Sequence, residues 1–289
     1  MTRKNKMNVL SIVFDIIMVL IGITVIIVGF VKIDFDMDRL TGESNDAVLE
    51  ERTENFSASE IKDIIIDCDV AEFKINASGE SNDITVKISD NSVMRYTAEV
   101  RGKTLNIKSK SKLWHFGLFS GGKWWNIFDN SPISHHYSLE VTVPLGYEID
   151  RLDIDVSAGS IRVSDITANN FYIENNAGET IINNVRGNSL TMEQNAGSTN
   201  ISNADFRKMY LKNNAGKITT RDLIFSDLNF SVNAGDVDIH AIGKKAEYTI
   251  DVDSNVGNKI PYQTGTTAKT ITGNINAGNV YLEFSENVA

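Results

Sequence analysis

The sequence predicts an all-β protein: a β-solenoid of 19-residue Ala-Gly coils behind a leading strand region, preceded by one transmembrane α-helix. Three observations predict it. An Ala-Gly pair recurs at a fixed interval, the residues between the pairs alternate apolar and polar, and one long apolar run stands near the N-terminus. The composition is that of a folded chain, 289 residues with 42% hydrophobic and 23% charged. Three Pro and one Cys exclude a Pro-rich linker and a disulfide-stapled scaffold. A net charge of −10 opposes a phosphate backbone, whose affinity rests on Lys and Arg displacing counterions, so nucleic acid is excluded as a partner.

In chain order, residues 1–8 are a short tail carrying Arg3, Lys4 and Lys6, and residues 9–32 are the membrane segment. From Val9 to Val31 only Ser11, Asp15 and Thr24 interrupt an apolar run, and roughly 20 such residues cross the hydrocarbon core. The run exceeds a signal-peptide core and lacks a small-x-small cleavage site, so it reads as a retained anchor. Basic residues before it and Asp34, Asp36 and Asp38 after it place the N-terminus in the cytoplasm of a plasma membrane and the rest outside. Asp15 lies near the cytoplasmic end, where water reaches it or it is protonated; pairing with a partner helix is the alternative. Residues 33–56 are acidic and show little periodicity, the pattern of a solvated tether.

Residues 57–150 form the leading β region, with alternation at Ile64 to Ile75, then Ile84 to Ile88, Tyr96 to Val100, Thr104 to Lys108 and Tyr137 to Val143. Cys68 falls on the apolar side and reads as a small buried residue, since no nearby base or cation would lower its pKa. Residues 151–289 carry the repeat. Gly159, Gly178, Gly197, Gly216 and Gly235 are 19 apart, and Gly257 and Gly278 follow at steps of 22 and 21, which reads as the same period with two short insertions. Aligned on glycine, Ile154, Ile173, Met192, Leu211 and Phe230 form an inward column, Ile161, Thr180, Thr199, Ile218 and Val237 a second, and Val163, Ile182, Ile201, Thr220 and Ile239 a third. One repeat cannot bury such a stripe, whereas stacked copies form a continuous core. A hexapeptide helix needs coils of whole hexapeptides, into which 19 does not divide, so another winding is expected.

The residue before each Ala is Ser157, Asn176, Asn195, Asn214, Asn233 and Asn276, which predicts an amide ladder up the stack. Residues 64–75 repeat the pattern: Ile64, Ile66, Cys68, Val70, Phe73 and Ile75 match Leu152, Ile154, Val156, Ala158, Ile161 and Val163, so a divergent first coil begins the domain. The N-terminal anchor, the strand ending SLEVTVPLG and the NAG-type coils resemble the adhesin-like β-strand-repeat domain of bacterial envelopes over residues 57–285. The resemblance implies an envelope-associated domain of unassigned function, some members of which look like envelope-stress or antimicrobial-peptide-response proteins, and it supplies no catalytic motif or cofactor.

Candidate chemistry is sparse. His115, His135, His136 and His240 stand without a catalytic signature, and His135 and His136 point to opposite faces of a strand, which sets them badly for one metal ion. Asp155, Glu174 and Glu193 form an acidic column; a solvated face is the plain reading, a Ca²⁺ site or glycan-cleaving carboxylates the alternatives. Residues 113–128 hold Trp114, Phe116, Phe119, Trp124, Trp125 and Phe128, and this aromatic insertion could cap the core, enter the membrane interface or bind a partner. The sequence thus points to a non-enzymatic, membrane-anchored binding or scaffolding module of the cell envelope. Cell-wall polymer, a cationic peptide or another envelope protein are its candidate partners, with no metal and no cofactor. A carbohydrate-active β-helix enzyme, or signalling through the membrane helix, is the alternative.

Overall fold

The computed structural model describes residues 49–79, 81–91, 94–111 and 137–286. The apolar run 9–31, the aromatic insertion 113–128, and His115, His135 and His136 lie outside them. Among the described residues no helix is long and apolar enough to cross a membrane.

The architecture is one twelve-stranded sheet wound into stacked coils. In chain order the strands are β1 (Glu50–Ser57), β2 (Asp63–Ser78), β3 (Asp83–Asp90), β4 (Met94–Arg101), β5 (Thr104–Ser111) and β6 (Ser138–Pro144). They continue with β7 (Glu148–Ser164), β8 (Thr167–Ala234), β9 (Val237–Ile242), β10 (Tyr248–Val256), β11 (Lys269–Ala277) and β12 (Val280–Ser285). β8 is extended for 68 residues because it winds through several coils in turn, burying alternate side chains. The three inward columns are buried as the repeat requires, and Leu152, Phe171, Leu190, Met209 and Leu228 add a fourth. Rings pack within the core: Phe171 meets Phe206 edge-on at 5.3 Å, and Phe225, Tyr248 and Phe284 form a chain of rings 5.3 Å apart.

The corner at each Ala-Gly pair sets how closely coils approach. Gly159, Gly178, Gly197, Gly216 and Gly235 have φ between 122° and 143°. A Cβ on any of them would lie 1.6–1.9 Å from the carbonyl oxygen of the corner below. Only glycine fits on both counts. A second corner uses Asp165, Asn184, Asn203 and Asp222 at φ 50–59°, the left-handed region that Asn and Asp tolerate.

The expected first coil is present. β2 pairs in parallel with β7 in the register read from sequence: Ile64 with Leu152, Ile66 with Ile154, Cys68 with Val156, Val70 with Ala158, Phe73 with Ile161 and Ile75 with Val163. The later coils depart from simple succession. β11 and β12 stack directly on β8 and β9, with Ala277 beside Ala234 and Val280 beside Val237, and β10 lies outside β11. The corners therefore run Gly235, Gly278, Gly257 in space. The steps of 22 and 21 are not insertions within a regular succession. They supply the slack, through the 3-10 turn Lys245–Glu247 and the 258–268 loop, that lets the chain climb two levels and return to fill the one between.

The N-terminal end repeats this device. β5 and β6 together lie outside β2, against its first and second halves, so β2 is held between a later coil and β7. Antiparallel strands then cover the edge, β4 on β5, β3 on β6 and β1 on β3. β1 begins inside the span expected to be a tether. Its charge disguised it: Arg52, Glu54 and Phe56 alternate toward the protein, and Arg52 meets fully buried Asp90 at 2.7 Å. Asp90 also accepts from the Tyr96 amide at 2.8 Å, so its buried charge is paired on two sides.

Gly197→Ala is expected to lose at least about 3 kcal/mol, because positive φ and backbone overlap combine. Gly79→Ala, with nothing within 4 Å of the added carbon, should change stability by under about 1 kcal/mol. Urea unfolding of the two variants measures both.

Candidate functional site

The outward side chains of the strands, held in register by the corners, are the candidate binding surface. Outside each Ala-Gly corner the predicted amide ladder exists. Asn195 donates to Asn176, Asn214 to Asn195 at 2.5 Å, Asn233 to Asn214 at 2.7 Å, Asn276 to Asn233 at 2.8 Å and Asn255 to Asn276 at 2.8 Å. The ladder follows the spatial order of the coils, skipping from 233 to 276 and returning to 255.

A second amide ladder inside the corner was not anticipated. Asn175, Gln194 and Asn213 are fully buried, and their side-chain amides donate to the carbonyls of Gly159, Gly178 and Gly197 at 3.2–3.3 Å. Asn175 also donates to Thr180 Oγ1 at 3.2 Å, and that hydroxyl donates to Gln194 Oε1 at 3.0 Å. These residues share the inward parity of Val156 and Val232, and parity alone could have placed them. The carbonyls of Gly159, Gly178 and Gly197 thus each meet a glycine Cα on one side and a buried amide on another, which fixes these corners and the flat faces beside them.

The acidic column is real and longer than expected. Asp155 pairs with Glu174 in register, and Asp67 with Asp155. The column ends in lysines, Lys108 3.4 Å from Asp67 and Lys212 2.8 Å from Glu193. The Asp155 carboxyl is pushed up by partial desolvation against the sheet, with Glu174, Asp67, Asp153 and Asp69 adding like charge. Glu193 instead directs its carboxylate to Lys212, whose ammonium that hydrogen bond holds above its ordinary value. The three acids follow one another along a surface, and Lys212 neutralises one of them. Among the described residues no three His, Cys, Asp or Glu side chains are grouped to hold a metal ion.

Cys68 is a free thiol and fully buried, and burial, then Asp67, Asp69 and Asp155, push its pKa far up, so it packs rather than reacts. His240 Nδ1 lies 3.6 Å from Asp222, an ion pair only when the ring is protonated. The aromatic residues Trp114, Phe116, Phe119, Trp124, Trp125 and Phe128 fall outside the described residues.

Asp155 gives a pH signature. Its folded-state pKa lies above its unfolded one, so the penalty is present in full at neutral pH and is relieved as pH falls through the folded value. Asp155→Asn should raise the melting temperature by about 1 °C at pH 7 and give no advantage near about pH 3, where wild type is itself protonated. Melting curves at the two pH values decide this; an Asn variant less stable at pH 7 contradicts it.

Comparison with known proteins places this geometry in a family. No curated protein matches the chain. Solved structures similar to it include a candidate adhesin from Parabacteroides distasonis, at 12% identity and TM-score 0.46 over 83% of this chain and 94% of that one. A candidate cell-adhesion protein from Clostridium sporogenes is 13% identical, at TM-score 0.37 over 82% of this chain and all of that one. A candidate lipid-binding protein from Parabacteroides distasonis is 13% identical, at TM-score 0.42 over 83% and 96%. The family model described as Toastrack DUF4097 matches residues 61–288, which is the stack from the start of β2 to beyond β12. The chain belongs to the Toastrack DUF4097 family.

Proposed function

We infer that this protein is a non-enzymatic, adhesin-like binding module of the bacterial cell envelope, anchored by residues 9–31 and presenting its β-stack outside the plasma membrane. The observation that carries the reading is the outer amide ladder, which runs from Asn176 to Asn255 and holds the outward faces flat and in register, reinforced at three successive corners by the buried amides of Asn175, Gln194 and Asn213. A surface so preorganised binds without first ordering its side chains. Its −10 charge keeps it off other anionic polymers and favours neutral or cationic ligands. The anchor supports the location: the apolar run has the length of one crossing, and its basic side faces the cytoplasm.

The test uses thiol chemistry, because the one native cysteine is buried. Leu145 is 73% exposed. Leu145→Cys should react with a membrane-impermeant maleimide in intact cells, whereas Asn5→Cys should react only after lysis. Deleting residues 9–31 should release the protein from the membrane fraction. Labelling of position 145 only after lysis would falsify the outward orientation.

A further inference from the structure

One outward face carries an aromatic pair that nothing above uses. Tyr172 and Tyr210 occupy the same column, two coils apart, with Thr191 between them. Their orientation follows from burial: Phe171 and Ile173, Leu190 and Met192, and Met209 and Leu211 all point inward, so the residue between each pair points out. Register is fixed on both sides of the column, by Ser189 Oγ donating to Asn170 Oδ1 at 2.7 Å and by Lys212 Nζ donating to Glu193 at 2.8 Å. With about 4.8 Å per coil, the two tyrosines stand about 9.6 Å apart over a floor made by one small hydroxyl side chain. Tyr172 is 41% exposed and has the Arg151 guanidinium 5.1 Å from its ring centroid, so a cation already packs on this ring.

The surround is polar and mixed in charge: Arg151, Lys208 and Lys212 face Asp153, Asp155, Glu174 and Glu193, which leaves a small negative excess. The backbone beneath is committed to coil-to-coil pairing, so no strand edge is open there to a peptide. Two rings across a hydroxyl floor offer too little apolar area for a lipid surface. What fits two ring faces set among side-chain amides, hydroxyls and carboxylates already engaged by cations is a molecule with apolar C–H faces and many hydroxyls.

We propose that the Tyr172–Thr191–Tyr210 trough binds an uncharged oligosaccharide, an extended chain of hexose or N-acetylhexosamine units lying along the stack. Its ring faces pack on Tyr172 and Tyr210, and its hydroxyls hydrogen-bond to Thr191, Asn170 and Glu193. The proposal rests on the binding-module reading and names the ligand class of that surface.

The experiment titrates the full-length protein, in amine-oxide micelles whose headgroup is not a sugar, with chitohexaose and with cellohexaose by calorimetry. A cationic peptide is titrated in parallel. Saturable binding of a neutral hexasaccharide is expected, weakened about threefold to tenfold by Tyr172→Ala or Tyr210→Ala and changed less than about twofold by Tyr172→Phe. Thr191→Trp, which fills the trough and leaves both tyrosines in place, should abolish binding without lowering the melting temperature. If an alanine variant fails to fold, Thr191→Trp decides. Absence of saturable binding by either saccharide overturns the proposal, as does binding that Thr191→Trp leaves unchanged, or tyrosine-dependent binding of the peptide alone. Failure here with Leu145→Cys still labelled in intact cells removes the ligand assignment and leaves the envelope reading standing.

Discussion

The contact between a glycine Cα and the carbonyl oxygen of the corner below governs this molecule. At the corners from Gly159 onward the space holds no Cβ, since one would lie under 2 Å from that oxygen, and the φ required is one that other residues rarely adopt; the first coil has Ala71 at this position. The approach brings backbone to backbone at each glycine corner and sets the register of the flanking strands, which side-chain bonds between coils then hold. Register then puts like on like. Apolar residues form columns that bury one another, and corner asparagines form a ladder in which each amide donates to the next. Interior amides complete the corner by donating to the glycine carbonyls. The 19-residue period is the sequence record of that single contact.

A stack that repeats has two ends, each with a strand edge able to pair with another molecule. This protein treats both ends alike. The first coil in the chain, β2, is covered by a coil made later, β5 with β6. The last coil, β11 with β12, is slotted beneath one made earlier, β10. β2 therefore has a paired neighbour on both sides, as does the β11 half of the last coil, while β12 pairs β9 on one side. The outermost edges carry irregular covers: antiparallel β1, β3 and β4 at one end, and at the other the 258–268 loop, where Gln263 exchanges backbone hydrogen bonds with Ile250 at 2.8 and 3.0 Å. Rings back the second cover, with Lys269 Nζ 5.1 Å from the Tyr248 centroid.

What was legible in the sequence follows from this physics. Local rules that repeat leave a periodic trace, so the coil length, the three inward columns, the amide ladder and the six matched pairs of the first coil could all be read directly. The order of the last two coils could not. It depends on chain slack between corners, and steps of 22 and 21 look the same whether the chain advances one level or overshoots and returns. β1 escaped because alternation of Arg52 and Glu54 reads as a solvated segment until the partner Asp90 is known. The inner amides Asn175, Gln194 and Asn213 escaped because polar residues beside a turn read as solvent-facing, although their parity placed them inside. On the working surface the acidic column was visible from spacing. The tyrosine trough was not, since its two rings are 38 residues apart and take meaning only from the stacked register.

The faces, the ladder and the covered ends all derive from the coil order. The most direct measurement is oxidative cross-linking of paired cysteines in the Asn ladder. Adjacent coils lie about 4.8 Å apart, within disulfide reach, whereas alternate coils at about 9.6 Å are beyond it. Asn233→Cys with Asn276→Cys is expected to form a disulfide in the folded protein, and Asn233→Cys with Asn255→Cys to form none. Cross-linking of 233 with 255 in place of 276 would contradict this coil order and return the coils to simple chain order.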